Sequence, residues 1–235
     1  MIKKIFIVRH GEAMHQVNGD VWDVCANKDI GLTALGKQQA KQCGDFLANE
    51  GLSEKNALIM CSPYLRAEQT AEQIQEQIPD IEIEKDALLC EQDFGLFTGL
   101  STPKCYEIYP REAKIYDMQE ALVGGYYVKP PKGESRADVV ERASEFITKI
   151  QPILRDSQYE NMIVVSHCLM GRSLIKVLTE QTTDSFMKEP KQENGSIKQL
   201  CFENGVWVSK GIVFMPDEKS ENISIAERMP SSKEL

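Results

Sequence analysis

Ile5-Phe6-Ile7-Val8-Arg9-His10-Gly11-Glu12 opens the sequence with four apolar residues that run straight into a cation, an imidazole and a glycine. An unbroken apolar run rich in β-branched residues is the pattern of a strand buried on both faces. The same pattern occurs twice more. Ala57-Leu58-Ile59-Met60-Cys61 runs into Ser62-Pro63, with Arg66 close behind, and Met162-Ile163-Val164-Val165 runs into Ser166-His167. Between these strands lie segments of helical periodicity, so the chain alternates β and α. That predicts a three-layer α/β/α fold with a mostly parallel central sheet. In such sheets ligands sit beyond the carboxyl ends of the strands. Three remote segments carrying Arg9, His10, Arg66 and His167 are therefore expected to meet in one crevice.

Local signals mark the helices. Thr33 is placed to cap a helix reaching about Asn49, with Gly51 as its stop. Ser62 followed by Pro63 predicts an N-cap and first helical position, with Arg66 in the first turn and an end near Pro79. Ile81-Glu82-Ile83 alternates like a short exposed strand. Ser135 predicts a cap for a helix whose apolar positions Val139, Ala143, Phe146, Ile147, Ile150 and Leu154 share one face. A further helix is expected from about Leu169 to Leu178. Asn204-Gly205 between Ile197–Phe202 and Val206–Val213 predicts a hairpin at the sheet edge. Residues 92–135, rich in glycine and proline, are the least regular stretch and are expected to form a lid or insertion. Residues 1–215 thus read as one domain and 216–235 as a polar tail.

Composition narrows the function. With 235 residues at 42% hydrophobic, the chain can build a sizeable core, and its net charge of −9 argues against nucleic acid or an anionic membrane as partner. The seven cysteines are odd in number and include no C-x-x-C pair, so neither a zinc site nor a disulfide framework is expected. Reduced thiols and a cytoplasmic location fit better. The apolar start is short and interrupted by Arg9, His10 and Glu12, which reads as a strand rather than a signal peptide. No apolar run approaches membrane-spanning length.

In an acidic chain, arginines gathered at a strand-end crevice imply a local anion site. Arginine suits phosphate because its planar fork matches the non-bridging oxygens. A neutral imidazole can attack phosphorus directly, and Gly11 leaves room beside His10 for an in-line approach. His167 is placed to stabilise the phosphoryl oxygens. The departing alkoxide needs a proton, and Glu91, after the largely apolar Ala87-Leu88-Leu89, is the candidate donor.

These motifs resemble those of the histidine phosphatase superfamily, also called phosphoglycerate mutase-like. The resemblance rests on Arg9-His10-Gly11-Glu12, Leu32-Thr33-Ala34-Leu35-Gly36, Ser62-Pro63-Tyr64-Leu65-Arg66-Ala67, Glu91-Gln92-Asp93-Phe94-Gly95, Gly133-Glu134-Ser135 and Val164-Val165-Ser166-His167, in order along most of the chain. It implies metal-independent hydrolysis of phosphate monoesters without a cofactor, through a phosphohistidine on His10. Arg9, Arg66 and His167 would bind phosphate, and Glu91 would be the acid. Two positions depart from the family pattern. Gln16 stands where asparagine is common, keeping an amide for phosphate contact, with Asn18 as a substitute. Cys168 replaces a glycine or alanine after the second histidine, as a small buried residue or an oxidisable one. His15 has no motif support and reads as surface or pocket rim.

The alternatives are phosphoglycerate mutase-type transfer and a non-catalytic phosphate-binding scaffold. Gln92-Asp93-Phe94 departs from the E-R-H-Y-G form of the mutases, and the intact His10, Arg9, Arg66, Glu91 and His167 set argues against a scaffold. The expected partner is a small phosphorylated substrate or a phosphopeptide. Tyr106, Arg111, Tyr126, Tyr127 and Lys129 of the lid are candidate contacts. Exposed edge strands permit a homodimer.

Overall fold

The computed structural model describes residues 1–217. Its sheet has six strands: β1 (Lys4–Arg9), β2 (Ala57–Cys61), β3 (Glu82–Lys85), β4 (Asn161–Ser166), β5 (Ile197–Glu203) and β6 (Val206–Phe214). They lie in the order β3-β2-β4-β1-β5-β6. The first four are parallel to one another, and β5 and β6 add an antiparallel edge. The polar tail reading falls almost wholly on residues 218–235, outside the described residues.

The three layers follow from the two-residue period of the strands. Ile5, Ile7, Leu58, Met60, Met162 and Val164 face one side. There they pack against Val139, Ala143 and Phe146 of one helix (Arg136–Lys149) and Met170, Leu174 and Ile175 of another (Cys168–Leu178). Their neighbours Phe6, Val8, Ile59, Cys61, Ile163 and Val165 face the opposite side, against Cys43 and Leu47 of a helix at Ala34–Asn49 and Ala67, Ala71 and Ile74 of a helix at Leu65–Gln77. Each fully buried side chain of this size contributes about 1.5–3 kcal/mol, so continuous apolar strands are what a sheet covered on both faces requires.

In chain order we label the helices α1 (Ala34–Asn49), α2 (Leu65–Gln77), α3 (Thr102–Ile108), α4 (Pro110–Val123), α5 (Arg136–Lys149) and α6 (Cys168–Leu178). The Thr33 cap is present, its hydroxyl accepting from the Gly36 N–H at 3.0 Å. Ser135 caps α5 in a reciprocal box with Asp138. The hairpin turns on Asn204 (φ 51°) and Gly205 (φ 87°), the left-handed pair a two-residue turn needs.

Three local expectations are corrected. Ser62 does not cap α2, which begins at Leu65 after Tyr64. The Ser62 N–H instead extends the sheet by bonding the Val165 carbonyl at 3.0 Å, which holds Ser62 extended. The lid is not irregular, since α3 and α4 fill its centre. Proline sits at the start of both, where a missing N–H costs nothing, so residues that look like breakers are helix punctuation. The Ser135 helix stops at Lys149, and a short helix at Gln151–Asp156 carries Leu154.

One contact seats the loop after β1. A Cβ on Gly11 would lie 2.2 Å from the Gly36 carbonyl oxygen, and one on Gly36 would lie 2.0 Å from the Glu12 carbonyl oxygen. The backbone after His10 rests directly on the first turn of α1. Gly11 is therefore required by packing, a role in addition to the room it leaves beside His10.

Candidate active site

Parallel pairing of β1 with β4 aligns Arg9 with Ser166, and the His10 N–H continues the ladder to the Ser166 carbonyl at 3.0 Å. The two strand ends bring His10 and His167 together, ring centroids 5.2 Å apart. Nδ1 of His10 donates to the Gly11 carbonyl at 2.7 Å. Burial, followed by the positive charges of Arg66 and Arg9, holds this imidazole well below its ordinary pKa. His10 is thus neutral, with its proton on Nδ1 and a lone pair on Nε2.

His167 is equally buried and also held well below the ordinary value, by burial first and then by Arg66 and His10. Its Nε2 lies 2.9 Å from the Ser62 hydroxyl. That hydroxyl accepts from the Tyr64 N–H at 3.3 Å and is also in position to donate to the Cys90 sulfur at 4.0 Å. When its single hydrogen goes to the closer Nε2, the His167 proton resides on Nδ1. Nδ1 is buried and has no partner among the described residues.

Arg66 reaches back to the Asn27 carbonyl at 2.8 Å and lies 4.8 Å from the centre of the Tyr64 ring. Burial lowers its pKa to about 10, which leaves it cationic at neutral pH. Arg9 donates through one terminal nitrogen to the Gln192 carbonyl. The Nε donors of both arginines are buried without a partner among the described residues. Buried donors normally find acceptors. Three unpartnered buried nitrogens (Arg9 Nε, Arg66 Nε and His167 Nδ1) on residues around one neutral imidazole suit a multiply charged oxyanion.

Glu91 lies at the same crevice, its carboxylate accepting from the Gln92 N–H at 3.0 Å and from the Leu169 N–H in the first turn of α6 at 3.3 Å. The loop bearing it is anchored by Arg142 of α5, which donates to the carbonyls of Leu88, Cys90 and Glu91 and to both oxygens of Glu134. Gln92 adds a bond to the Glu134 carbonyl at 2.7 Å. The Gly133-Glu134-Ser135 motif therefore caps a helix and also clamps the acid loop.

A cavity of about 410 Å³ opens over Arg9, His10, Arg66 and Glu91, walled further by His15, Trp22, Asn27, Gln92, Phe94, Phe97, Thr98, Gly99, Leu100 and Lys191. Arg9, His10, Arg66, His167 and Glu91 thus come together as expected. Gln16 is engaged elsewhere, exchanging hydrogen bonds with Asn194 at 3.0 and 3.1 Å, and Asn18 accepts from the Asp20 N–H. Cys168 begins α6, half-buried rather than fully buried. The lid residues Tyr106, Arg111, Tyr126, Tyr127 and Lys129 do not line the cavity. Tyr106 bonds Asp117, Lys129 pairs with Asp138 at 2.9 Å, and Tyr126 packs on Phe186.

His15 lies at the pocket rim, one of the two places the sequence suggested for it, whereas Trp22, Asn27, Arg142 and Lys191 escaped the sequence reading. Arg142 had a signal: it falls on the apolar stripe of α5 between Val139 and Phe146, and a cation on a buried face needs partners. No group of three or more potential metal ligands occurs among the described residues. No described helix is long and apolar enough to cross a membrane.

The sequence profile of the histidine phosphatase superfamily (branch 1) matches residues 5–214. The chain belongs to this superfamily. Among curated relatives, 2,3-bisphosphoglycerate-dependent phosphoglycerate mutase of Bartonella bacilliformis is 30% identical over 183 residues, covering 76% of this chain and 82% of the relative. Human 6-phosphofructo-2-kinase/fructose-2,6-bisphosphatase 1 is 25% identical over 228 residues, covering 95% of this chain and 44% of the relative. The chain therefore spans less than half the length of that enzyme. Two solved structures share the histidine phosphatase fold. The alpha-ribazole phosphatase of Shigella flexneri superposes with a TM-score of 0.71 at 20% identity, covering 89% of this chain and 95% of that one. A mycobacterial glucosyl-3-phosphoglycerate phosphatase superposes at 0.67 with 21% identity, covering 89% and 97%.

Proposed function

We propose that this protein is a phosphatase that hydrolyses monoesters of small phosphorylated molecules through a phosphohistidine on His10. The supporting observation is the neutral His10 imidazole, locked by Gly11 with Nε2 as its free nitrogen, beside the vacant Nε donors of Arg9 and Arg66.

In the first step the Nε2 lone pair forms a bond to phosphorus as the ester P–O bond breaks. Glu91, in its carboxylic acid form, gives its proton to the departing oxygen, and the alcohol leaves. Arg9, Arg66 and Nδ1–H of His167 take up the charge on the equatorial oxygens. In the second step water attacks phosphorus, Glu91 recovers a proton from it, and the N–P bond breaks. Inorganic phosphate departs and His10 returns to its neutral form, with Nδ1–H on the Gly11 carbonyl throughout.

The experiment is release of inorganic phosphate without added metal by wild type and His10→Ala. Substrates would include p-nitrophenyl phosphate, 3-phosphoglycerate, fructose 2,6-bisphosphate, other sugar phosphates, nucleotides and a phosphopeptide. Release that disappears in His10→Ala supports the reading. A second reading, phosphoryl transfer between phosphoglycerates, is favoured by the mutase relative at 30% identity. It predicts interconversion of 2- and 3-phosphoglycerate with little free phosphate.

A further inference from the structure

The cavity lining has two chemically different parts. One is the corner of Arg9, His10 and Arg66. The other is walled by Trp22, Phe94, Phe97 and Leu100. We propose that this second wall is a subsite for a flat apolar ring, so that the substrate class is a phosphate monoester whose alcohol carries such a ring. This rests on reading the first part as the phosphate corner.

The wall is built rather than incidental. Gly99 holds φ +75°, and a Cβ there would come within 2.6 Å of the Trp22 ring, so the indole lies directly on bare backbone. Trp22 also meets the His15 ring, centroids 5.0 Å apart. Phe97 is braced from behind by Tyr116, 5.7 Å away and nearly perpendicular. Trp22 is thus fixed by Gly99 and His15, which also line the cavity, and Phe97 by Tyr116, which does not. Phe94 is 43% exposed although it lines a concavity. Apolar side chains gathered in a concave surface beside a few convergent polar groups mark a ligand site.

Glu91 is the one acidic residue among the described lining residues, and its proposed role is at the reacting centre. A phosphorylated polyol could find partners at Asn27, Gln92, Thr98 or Lys191, but its hydroxyls set against Trp22, Phe97 and Leu100 would lose water without gaining any. A ring would cover those side chains and displace water from them instead.

The test uses wild-type protein and phosphonates, which cannot be hydrolysed, so binding is read apart from turnover. Calorimetry compares methylphosphonate, benzylphosphonate and 3,4-dihydroxybutylphosphonate, each against wild type and Trp22→Ala. Benzylphosphonate is expected to bind about tenfold or more tighter than the other two, the scale set by burying one face of a phenyl ring. In Trp22→Ala that advantage should shrink to roughly threefold or less while methylphosphonate binding stays unchanged, which also reports an intact fold. In a Trp207→Phe background, benzylphosphonate should change the fluorescence of Trp22 and methylphosphonate should not. Equal affinity for benzyl and dihydroxybutyl ligands, or a benzyl preference that survives Trp22→Ala, would overturn the ring subsite and leave the phosphate corner standing. If none of the three bound, the corner itself and the phosphatase reading would fall with it.

Discussion

Arg142 holds Glu134 by two parallel hydrogen bonds, Nε to Oε1 at 3.0 Å and a terminal nitrogen to Oε2 at 2.9 Å, and spends its other donors on the carbonyls of Leu88, Cys90 and Glu91. A helix, a turn and the loop of the proposed acid are thereby tied at one guanidinium. The fork geometry is specific to arginine, so lysine cannot reproduce it.

Removing that tie should disturb proton donation before it disturbs phosphate binding. Arg142→Ala is expected to lower kcat/KM for alkyl phosphates roughly a hundredfold and for p-nitrophenyl phosphate much less, because a good leaving group needs no acid. Glu91→Gln should show the same contrast. The double variant should be no worse than about the poorer single variant, since both act on one step. Losses that multiply, or that are equal for both leaving groups, would show that Arg142 does not act through Glu91.

Ser62→Ala tests the tautomer of His167. Without the hydroxyl, nothing holds the proton on Nδ1, so the donor for the phosphoryl oxygens is present only part of the time. The expectation is a roughly tenfold fall in kcat with a smaller change in KM, because the donor matters most as charge develops. A rise in KM alone would place Ser62 in ground-state binding.

The histidines make stability depend on pH in a stated direction. His10, His15 and His167 all have folded pKa values below the ordinary value near 6.5, His15 at about 4, chiefly through burial. The unfolded chain takes up protons as pH falls through 6.5 while the folded chain does not. Stability is therefore fully present above 6.5 and declines steadily below it. Urea unfolding between pH 4 and 8 should show that slope, and His15→Gln should make it shallower between pH 4 and 6.5. An unchanged slope would contradict the buried, neutral state of His15.

Gly11→Ala should destabilise the fold by roughly 1–3 kcal/mol, the usual range for forcing atoms into a packed contact, since the added Cβ meets the Gly36 carbonyl at 2.2 Å. Gly36→Ala should cost a similar amount for the mirror-image reason. Denaturant midpoints measure both, and near-neutral values would show that this junction yields.

Much of this was legible in the sequence because buried parallel strands leave an unbroken apolar signal. Ile5–Val8, Ala57–Cys61 and Met162–Val165 located three strands, and the residues after them located His10, Arg66 and His167 at one end of the sheet. Thr33 and Ser135 were readable as caps because capping depends on a few neighbouring residues. Ser62 carried the same local signal, but its N–H joined the sheet and its hydroxyl went to His167, a partner 105 positions away. Long-range partners leave no local trace, which is why Arg142 as the anchor of Glu91 was missed. The lid misled for another reason. Its prolines and glycines delimit α3 and α4, and only packing shows that Trp22, Phe94 and Phe97 wall the cavity while Tyr106 and Tyr126 do not.

The phosphatase mechanism stands on the bond between phosphorus and Nε2 of His10. The direct measurement is mass spectrometry of peptides after rapid alkaline quench, with Glu91→Gln turning over p-nitrophenyl phosphate, since phosphohistidine survives base and loss of the acid-base group slows its hydrolysis. The expected result is one phosphoryl group on the peptide containing His10, formed within a turnover and absent from the His10→Ala variant. Steady release of p-nitrophenol with no phosphoryl group on His10, or with one on another residue, would contradict it.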